Sequence, residues 1–220
     1  WDLKTQKQLF DACWGANGSS GRLVEDTVSG LETPGSPRPR YDLGYTLNIP
    51  LLKLFKPAGA GWELDRDLIG RLARTVRDVQ RPVVLYLFST HFEQKAPIEP
   101  VLAADPANLS WTQQGPLGNS LYYGAPVYNW GFARTDTPVT ARRVEAARAL
   151  LEAVCALGPD HVRKVRGLTL LGETHHLFPD FEAGMGFEKP YLISDYSPAS
   201  RAGFRAFLRQ RFGTVDKLNE

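Results

Sequence analysis

The most constraining stretch of the sequence is VVLYLF at residues 83–88, an unbroken run of β-branched, aliphatic and aromatic residues. A strand with one wet face alternates polar and apolar positions, so a run without polar positions points to a strand covered on both faces, the mark of a parallel sheet. Just before it, between Leu64 and Val79, the residues Leu68, Ile69, Leu72, Val76 and Val79 recur at helical spacing, with arginines and aspartates on the other face. That is an amphipathic helix, ended by Arg81-Pro82.

The same alternation recurs along the chain. Residues 41–51 (YDLGYTLNIPL) favour a strand that stops at Pro50, which cannot donate within a central ladder. Thr137-Pro138 supplies an N-cap and a first-position proline; Val144, Ala147, Leu151 and Val154 form a stripe, and Gly158 ends the helix. VRGLTLLGE (165–173) is a short apolar strand closing on a carboxylate. Ser197-Pro198 repeats the cap signal before a helix with Phe204, Leu208 and Phe212 on one side and Gly213 as its stop. Near the start, residues 4–14 read as a short helix carrying Leu9, Phe10, Cys13 and Trp14, and Gly30 to Arg40 reads as an irregular surface connection. The segment 89–134 is rich in proline, glycine and aromatics and reads as a long functional loop, with 93–135 expected to lie over a barrel mouth.

Strands alternating with helices imply parallel pairing through right-handed crossovers. No glycine-rich phosphate loop follows any strand, which disfavours a nucleotide-binding doubly wound sheet. The expected fold is therefore α/β, of the (β/α)8 TIM-barrel type. A whole barrel takes about 250 residues, and the few βα units counted here lead to the expectation of a single partial barrel spanning 1–220.

Composition narrows the partners. With 43% apolar and 11% aromatic residues, the chain has the material for a core. A net charge of +2, from 26 basic and 24 acidic side chains spread along the sequence, gives no reason to expect nucleic acid or an anionic membrane. No apolar run approaches a membrane span, and no charged-then-apolar signal segment opens the chain. Trp1 in first place suggests a processed or trimmed product, with a lean to a secreted or periplasmic location. Cys155 lies within an apolar helical pattern, so a buried thiol is expected rather than a disulfide with Cys13.

In α/β architectures reactive groups gather at the carboxyl ends of strands, where the loops converge. Two strand ends here are unusually polar: STHFE, with His91 and Glu93, and GETHH, with Glu173, His175 and His176. Three of the four histidines fall in these two places. A glutamate at the rim of an apolar strand can be held protonated by desolvation, which suits Glu173 to proton donation in glycosidic bond cleavage. The loop aromatics Trp111, Tyr122, Tyr123, Tyr128 and Trp130 have faces for sugar rings, with Gln113, Gln114 and Asn129 to bond hydroxyls. For any one of these aromatics, loop packing is the more ordinary explanation. His91, His175, His176, Tyr45, Asn48, Tyr128 and Trp130 are the candidate substrate-binding residues, although a buried tyrosine and a turn asparagine are everyday roles for Tyr45 and Asn48.

A metal-dependent hydrolase built on His91, His175, His176 and Asp180 is a further reading, but no H-E-x-x-H spacing supports it, so no metal or cofactor is expected. His161 reads as a surface loop residue, and the sequons at Asn17 and Asn108 are short matches that arise readily by chance.

Over residues 165–220 the text resembles glycoside hydrolase family 42 β-galactosidases: Phe204-Arg205-Ala206-Phe207-Leu208, Arg211-Phe212-Gly213 and Leu218-Asn219-Glu220 stand where that family shows F-R-x-W-L, lysine-tyrosine-glycine and leucine-asparagine. The resemblance implies a retaining glycosidase acting on a carbohydrate, with Glu173 as acid/base and His91 near the substrate. Gly172 departs from the asparagine usual before that glutamate. The family's nucleophile comes late in the barrel and matches no residue of this chain, for which Glu93, Asp180, Glu182 and Asp195 are only weak substitutes. A barrel that binds saccharide without cutting it is the alternative.

Overall fold

The computed structural model describes residues 21–32, 42–88, 96–122, 125–131, 135–169 and 195–219. In chain order it begins with helix α1 (Gly21–Ser29), strand β1 (Tyr45–Pro50), a 3-10 turn (Leu51–Leu54), strands β2 (Phe55–Ala58) and β3 (Gly61–Leu64), helix α2 (Arg66–Asp78) and strand β4 (Val83–Phe88). Helix α3 (Glu99–Ala103), a 3-10 turn (Pro106–Asn108) and the short strands β5 (Trp111–Thr112), β6 (Gly115–Pro116), β7 (Asn119–Tyr122) and β8 (Ala125–Tyr128) follow. Helices α4 (Pro138–Cys155) and α5 (Pro159–Val162), strand β9 (Val165–Thr169) and helices α6 (Pro198–Phe212) and α7 (Val215–Asn219) complete it. The chain divides into two compact units, 1–89 with 143–172, and 90–142 with 173–220.

The first unit is a parallel sheet in the order β1-β4-β9. β4 is the VVLYLF run: Val83, Leu85 and Leu87 are at most 1% exposed, while Val84, Tyr86 and Phe88 are half-buried. β1 pairs with it from Tyr45↔Val83 to Pro50↔Phe88, so proline falls at the last residue of the strand, where its missing N–H matters least. Gly44 leads into this pairing because a Cβ there would lie 2.4 Å from the Pro82 carbonyl oxygen, the acceptor of the Tyr45 N–H at 3.0 Å. Helix α2 starts on Asp65, whose carboxylate accepts from the Leu68 N–H at 3.0 Å, and buries Ile69, Ala73 and Val76.

The amino edge of the sheet is closed by charge. The Arg81 guanidinium donates to Glu25 at 2.8 Å, to both oxygens of Glu32 at 2.8 and 3.1 Å, and to Ser29 Oγ at 3.0 Å, tying α1 to the end of the α2–β4 connection. It holds the Glu32 carboxyl below its ordinary value, chiefly through the hydrogen bond. Lys164 Nζ donates to the Arg77 and Val79 carbonyls at 2.9 and 2.6 Å, capping the carboxyl end of α2. Burial lowers its pKa, with Asp78 and Glu25 opposing.

Three expectations change. Among the described residues the parallel strands form an open sheet of three, so the α/β class stands but no closed barrel is present. β9, expected as a short apolar strand, is half-exposed along its length, with Leu168 46% exposed, and is paired on one side only among those residues. Helix α4 has a different phase from the expected stripe: Val139, Ala146, Ala149, Leu150 and Val154 are its core face, whereas Val144 is 51% exposed. That rotation turns Cys155 outward as an exposed free thiol, in place of the expected buried one.

In the second unit the expected loop 93–135 contains, among the described residues, helix α3 and two antiparallel hairpins, β5–β6 and β7–β8. Leu109 bridges to Trp130, and the Ser110 N–H donates to the Asn129 carbonyl at 2.8 Å. Helix α6 begins on Ser197, whose Oγ accepts from the Ser200 N–H at 3.2 Å, and ends at Gly213, as its flanking residues require. The helix expected over 4–14 lies outside the described residues.

Candidate functional site

Glu173, His91, His175 and His176, together with Glu93, Asp180 and Glu182, lie outside the described residues. What the structure gives is the end of the sheet from which their segments leave. β1, β4 and β9 are parallel, so Pro50, Phe88 and Thr169 close their strands at one edge, the carboxyl edge.

Tyr45 opens β1 and therefore stands at the opposite, amino edge. Its hydroxyl is buried without a hydrogen-bond partner among the described residues, and burial, reinforced by the Glu25 carboxylate, pushes the phenol well above its ordinary value. Asn48 is exposed on β1, level with Tyr86 of β4. Tyr128 and Trp130 belong to the second unit and pack on one another with ring centroids 5.3 Å apart. They are 9% and 1% exposed, so neither offers an open ring face to a sugar; their role here is packing. Burial and the Glu99 carboxylate raise the Tyr128 pKa, while a hydrogen bond from Asn119 opposes them. Asn129 donates through Nδ2 to the Gly118 carbonyl at 2.8 Å, so this amide is also part of the fold.

Other residues of the same stretch do meet in an open cleft. Trp111, Thr112, Gln113, Gln114, Gly115, Tyr196, Pro198 and Arg201 line a cavity of about 450 Å³ in the second unit. Gln113 and Gln114 are the two turn residues of the β5–β6 hairpin and are exposed, which is where a two-residue connection puts its side chains. Thr112 Oγ1 braces the turn by accepting from the Gln114 N–H at 3.2 Å. Trp111 is fixed from three sides: its indole N–H donates to the Pro106 carbonyl at 3.0 Å, its backbone N–H to Asp195 Oδ1 at 3.2 Å, and its carbonyl accepts from the Tyr196 N–H at 2.9 Å. Trp111 also lines a smaller cavity of about 180 Å³ with Leu109, Pro198 and Ala199.

Asp195 is the residue that joins these parts. Its Oδ1 accepts from the backbone N–H groups of Trp111 and Ser197, the latter at 3.0 Å, and its Oδ2 from the hydroxyls of Ser197 and Ser200 at 2.9 and 2.7 Å. It is a positioning group that fixes the β5–β6 hairpin to the start of α6. Sequence reasoning missed Tyr196 and Arg201 as wall residues; the cap signal Ser197-Pro198 between them marks only where the helix begins.

Asn108 was noticed in the sequence only as a sequon, yet it is 1% exposed and fully bonded. Nδ2 donates to the Leu102 carbonyl at 2.8 Å and Oδ1 accepts from the Val139 N–H at 3.0 Å. The nitrogen that would carry a glycan is buried and engaged.

Among the described residues no group of three or more His, Cys, Asp and Glu side chains is arranged to hold a metal, and no helix is long and apolar enough to cross a membrane. Compared with family models, curated proteins and solved structures, the chain matches none.

Proposed function

We propose that this chain is part of a carbohydrate-active β/α barrel, a retaining glycosidase in which Glu173 protonates the departing oxygen and later deprotonates water. The observation that carries the reading is the pairing of β4 with β9 as parallel neighbours, which continues past a register shift between Val83 and Val84 as far as Tyr86↔Thr169. Parallel neighbours lie about 4.8 Å apart. His91 follows Phe88 by three positions and Glu173 follows Thr169 by four. In sequence, therefore, both residues follow the carboxyl edge of the same sheet. That is the edge at which β/α barrels collect their chemistry.

The test is Glu173→Gln in the full-length protein, assayed on aryl β-galactosides and on oligosaccharides. Loss of a general acid lowers turnover by about 100-fold or more, with an unchanged circular dichroism spectrum. Activity within a few-fold of the parent would remove Glu173 from the chemistry.

The open cleft of the second unit favours a second reading, a domain that holds saccharide without cutting it. Trp111, Gln113, Gln114 and Tyr196 offer the aromatic and amide surface that sugars use. Titration with oligosaccharides beside a sensitive hydrolysis assay separates the two: binding with product supports the glycosidase, and binding without product supports the second reading.

A further inference from the structure

We propose that the cleft bounded by Trp111, Gln113, Gln114, Tyr196 and Arg201 is a saccharide subsite that selects a sugar carrying a carboxylate, a uronate for instance. The inference rests on the carbohydrate reading above and adds the charge class of the ligand. The cavity holds about 450 Å³, within the 300–1,000 Å³ range of small-ligand sites. Its lining includes two aromatic residues, Trp111 and Tyr196, and two exposed amide side chains, Gln113 and Gln114, each with both donors and an acceptor for hydroxyl groups. Tyr196 is 40% exposed, leaving part of its ring free.

The selective element is Arg201. It is exposed on the first part of α6, it lines the cleft, and it has no ion pair among the described residues. Among the described residues no aspartate or glutamate lines the cleft with it. The neighbouring carboxylate, Asp195, has both oxygens committed to Trp111, Ser197 and Ser200 and is not part of the wall. Among those residues the wall therefore carries one positive charge and no negative one. A guanidinium presents parallel N–H groups that match a carboxylate in bidentate fashion, whereas a hydroxyl uses only one of them. The platform is also pre-organised, because the three hydrogen bonds on Trp111 and the Asp195 link hold hairpin and helix in fixed register.

The experiment uses the full chain and measures affinity by calorimetry for trigalacturonate and for neutral galactotriose, with inorganic phosphate as a third probe. The expected result is binding of the uronate about tenfold tighter than the neutral trisaccharide. Arg201→Gln should bring the uronate down to the affinity of the neutral sugar, and Tyr196→Ala should weaken both sugars together. Equal affinity for charged and neutral sugars, or a preference that survives Arg201→Gln, overturns the proposal while leaving saccharide binding in place. Phosphate binding as tightly as the uronate, with no binding of neutral sugar, overturns it in favour of a simple anion site. Absence of binding by either sugar also overturns it, and the Glu173→Gln hydrolysis assay then shows independently whether the carbohydrate reading falls with it.

Discussion

Replacing Asn108 by alanine should destabilise the second unit by about 2–4 kcal/mol, and the size of that loss follows from what the amide does. The side chain is 1% exposed and makes two hydrogen bonds, to the Leu102 carbonyl at 2.8 Å and from the Val139 N–H at 3.0 Å. Each bond is worth about 1 kcal/mol net, and each buried group left without a partner costs about 1–3 kcal/mol. Val139 is 0% exposed and sits in the first turn of α4, where a backbone N–H has no partner within the helix. Water cannot replace the asparagine oxygen there without opening the unit. The backbone bonds of Asn108, to Asp105 at 3.0 Å and from Gly131 at 2.8 Å, survive the substitution, so the loss belongs to the side chain. Amide hydrogen exchange at Val139 reads it directly: 2–4 kcal/mol corresponds to acceleration by about 30-fold to 1,000-fold. Urea unfolding should show a lower midpoint at unchanged slope. Asn48→Ala, at an exposed position on β1, is the control and should stay within about 0.5 kcal/mol of the parent. A loss below about 1 kcal/mol for Asn108→Ala, with Val139 exchange unchanged, would refute the argument.

Two further outcomes follow from the first unit. Tyr45→Phe removes a buried hydroxyl that has no partner among the described residues, so stability at pH 7 should hold or rise; a drop of more than about 1 kcal/mol would show a hidden partner. Because the folded phenol sits above its ordinary value of 10.0, its contribution is full below pH 10 and lost as pH rises further; melting curves of the phenylalanine variant should be flatter in that alkaline range. Glu32 behaves oppositely: its carboxyl is held below 4.5 by Arg81, so its contribution is full above that pH and lost as pH falls through the lower folded value. Urea midpoints between pH 6 and 2.5 should show an acid limb, reduced by salt, that Arg81→Met lacks; an identical limb in both proteins would place it elsewhere.

How far the sequence could be read depended on how sharply each residue pattern picked one answer. β4 was legible because VVLYLF offers no polar face, and α2 because its charged and apolar residues separate cleanly. Helix α4 was legible in extent and not in phase. Alanine, valine and leucine occur nearly all round it between Val144 and Val154, so one apolar stripe satisfies periodicity about as well as another, and only packing selects Ala146, Leu150 and Val154. Cys155 follows Val154 by one residue, about 100° round the helix, and that step carries it out of the core. The β2–β3 hairpin went unread although Gly59, with φ +55°, marks its turn; strands of four residues carry too little alternation to be seen alone.

The candidate cleft was legible only in halves, and Asp195 shows why. From the sequence it was one more carboxylate near a site, open to use as a nucleophile. In the structure it accepts four hydrogen bonds, three of them from Ser197 and Ser200, which themselves form the start of α6. Attack on a sugar would turn a charged acceptor into a neutral ester and weaken all four bonds, each worth about 1.5–3 kcal/mol when the acceptor is charged. The same four bonds explain its presence: they carry Trp111 and Ser197, 86 positions apart by subtraction of their numbers, into one wall. A long-range partner of that kind leaves no periodic trace, because the cap motif at Ser197-Pro198 and the hairpin at Gln113-Gln114 are each complete as local signals. The sequence therefore supplies both halves of the cleft, and the carboxylate that joins them is recognisable only once the donors it accepts from are known.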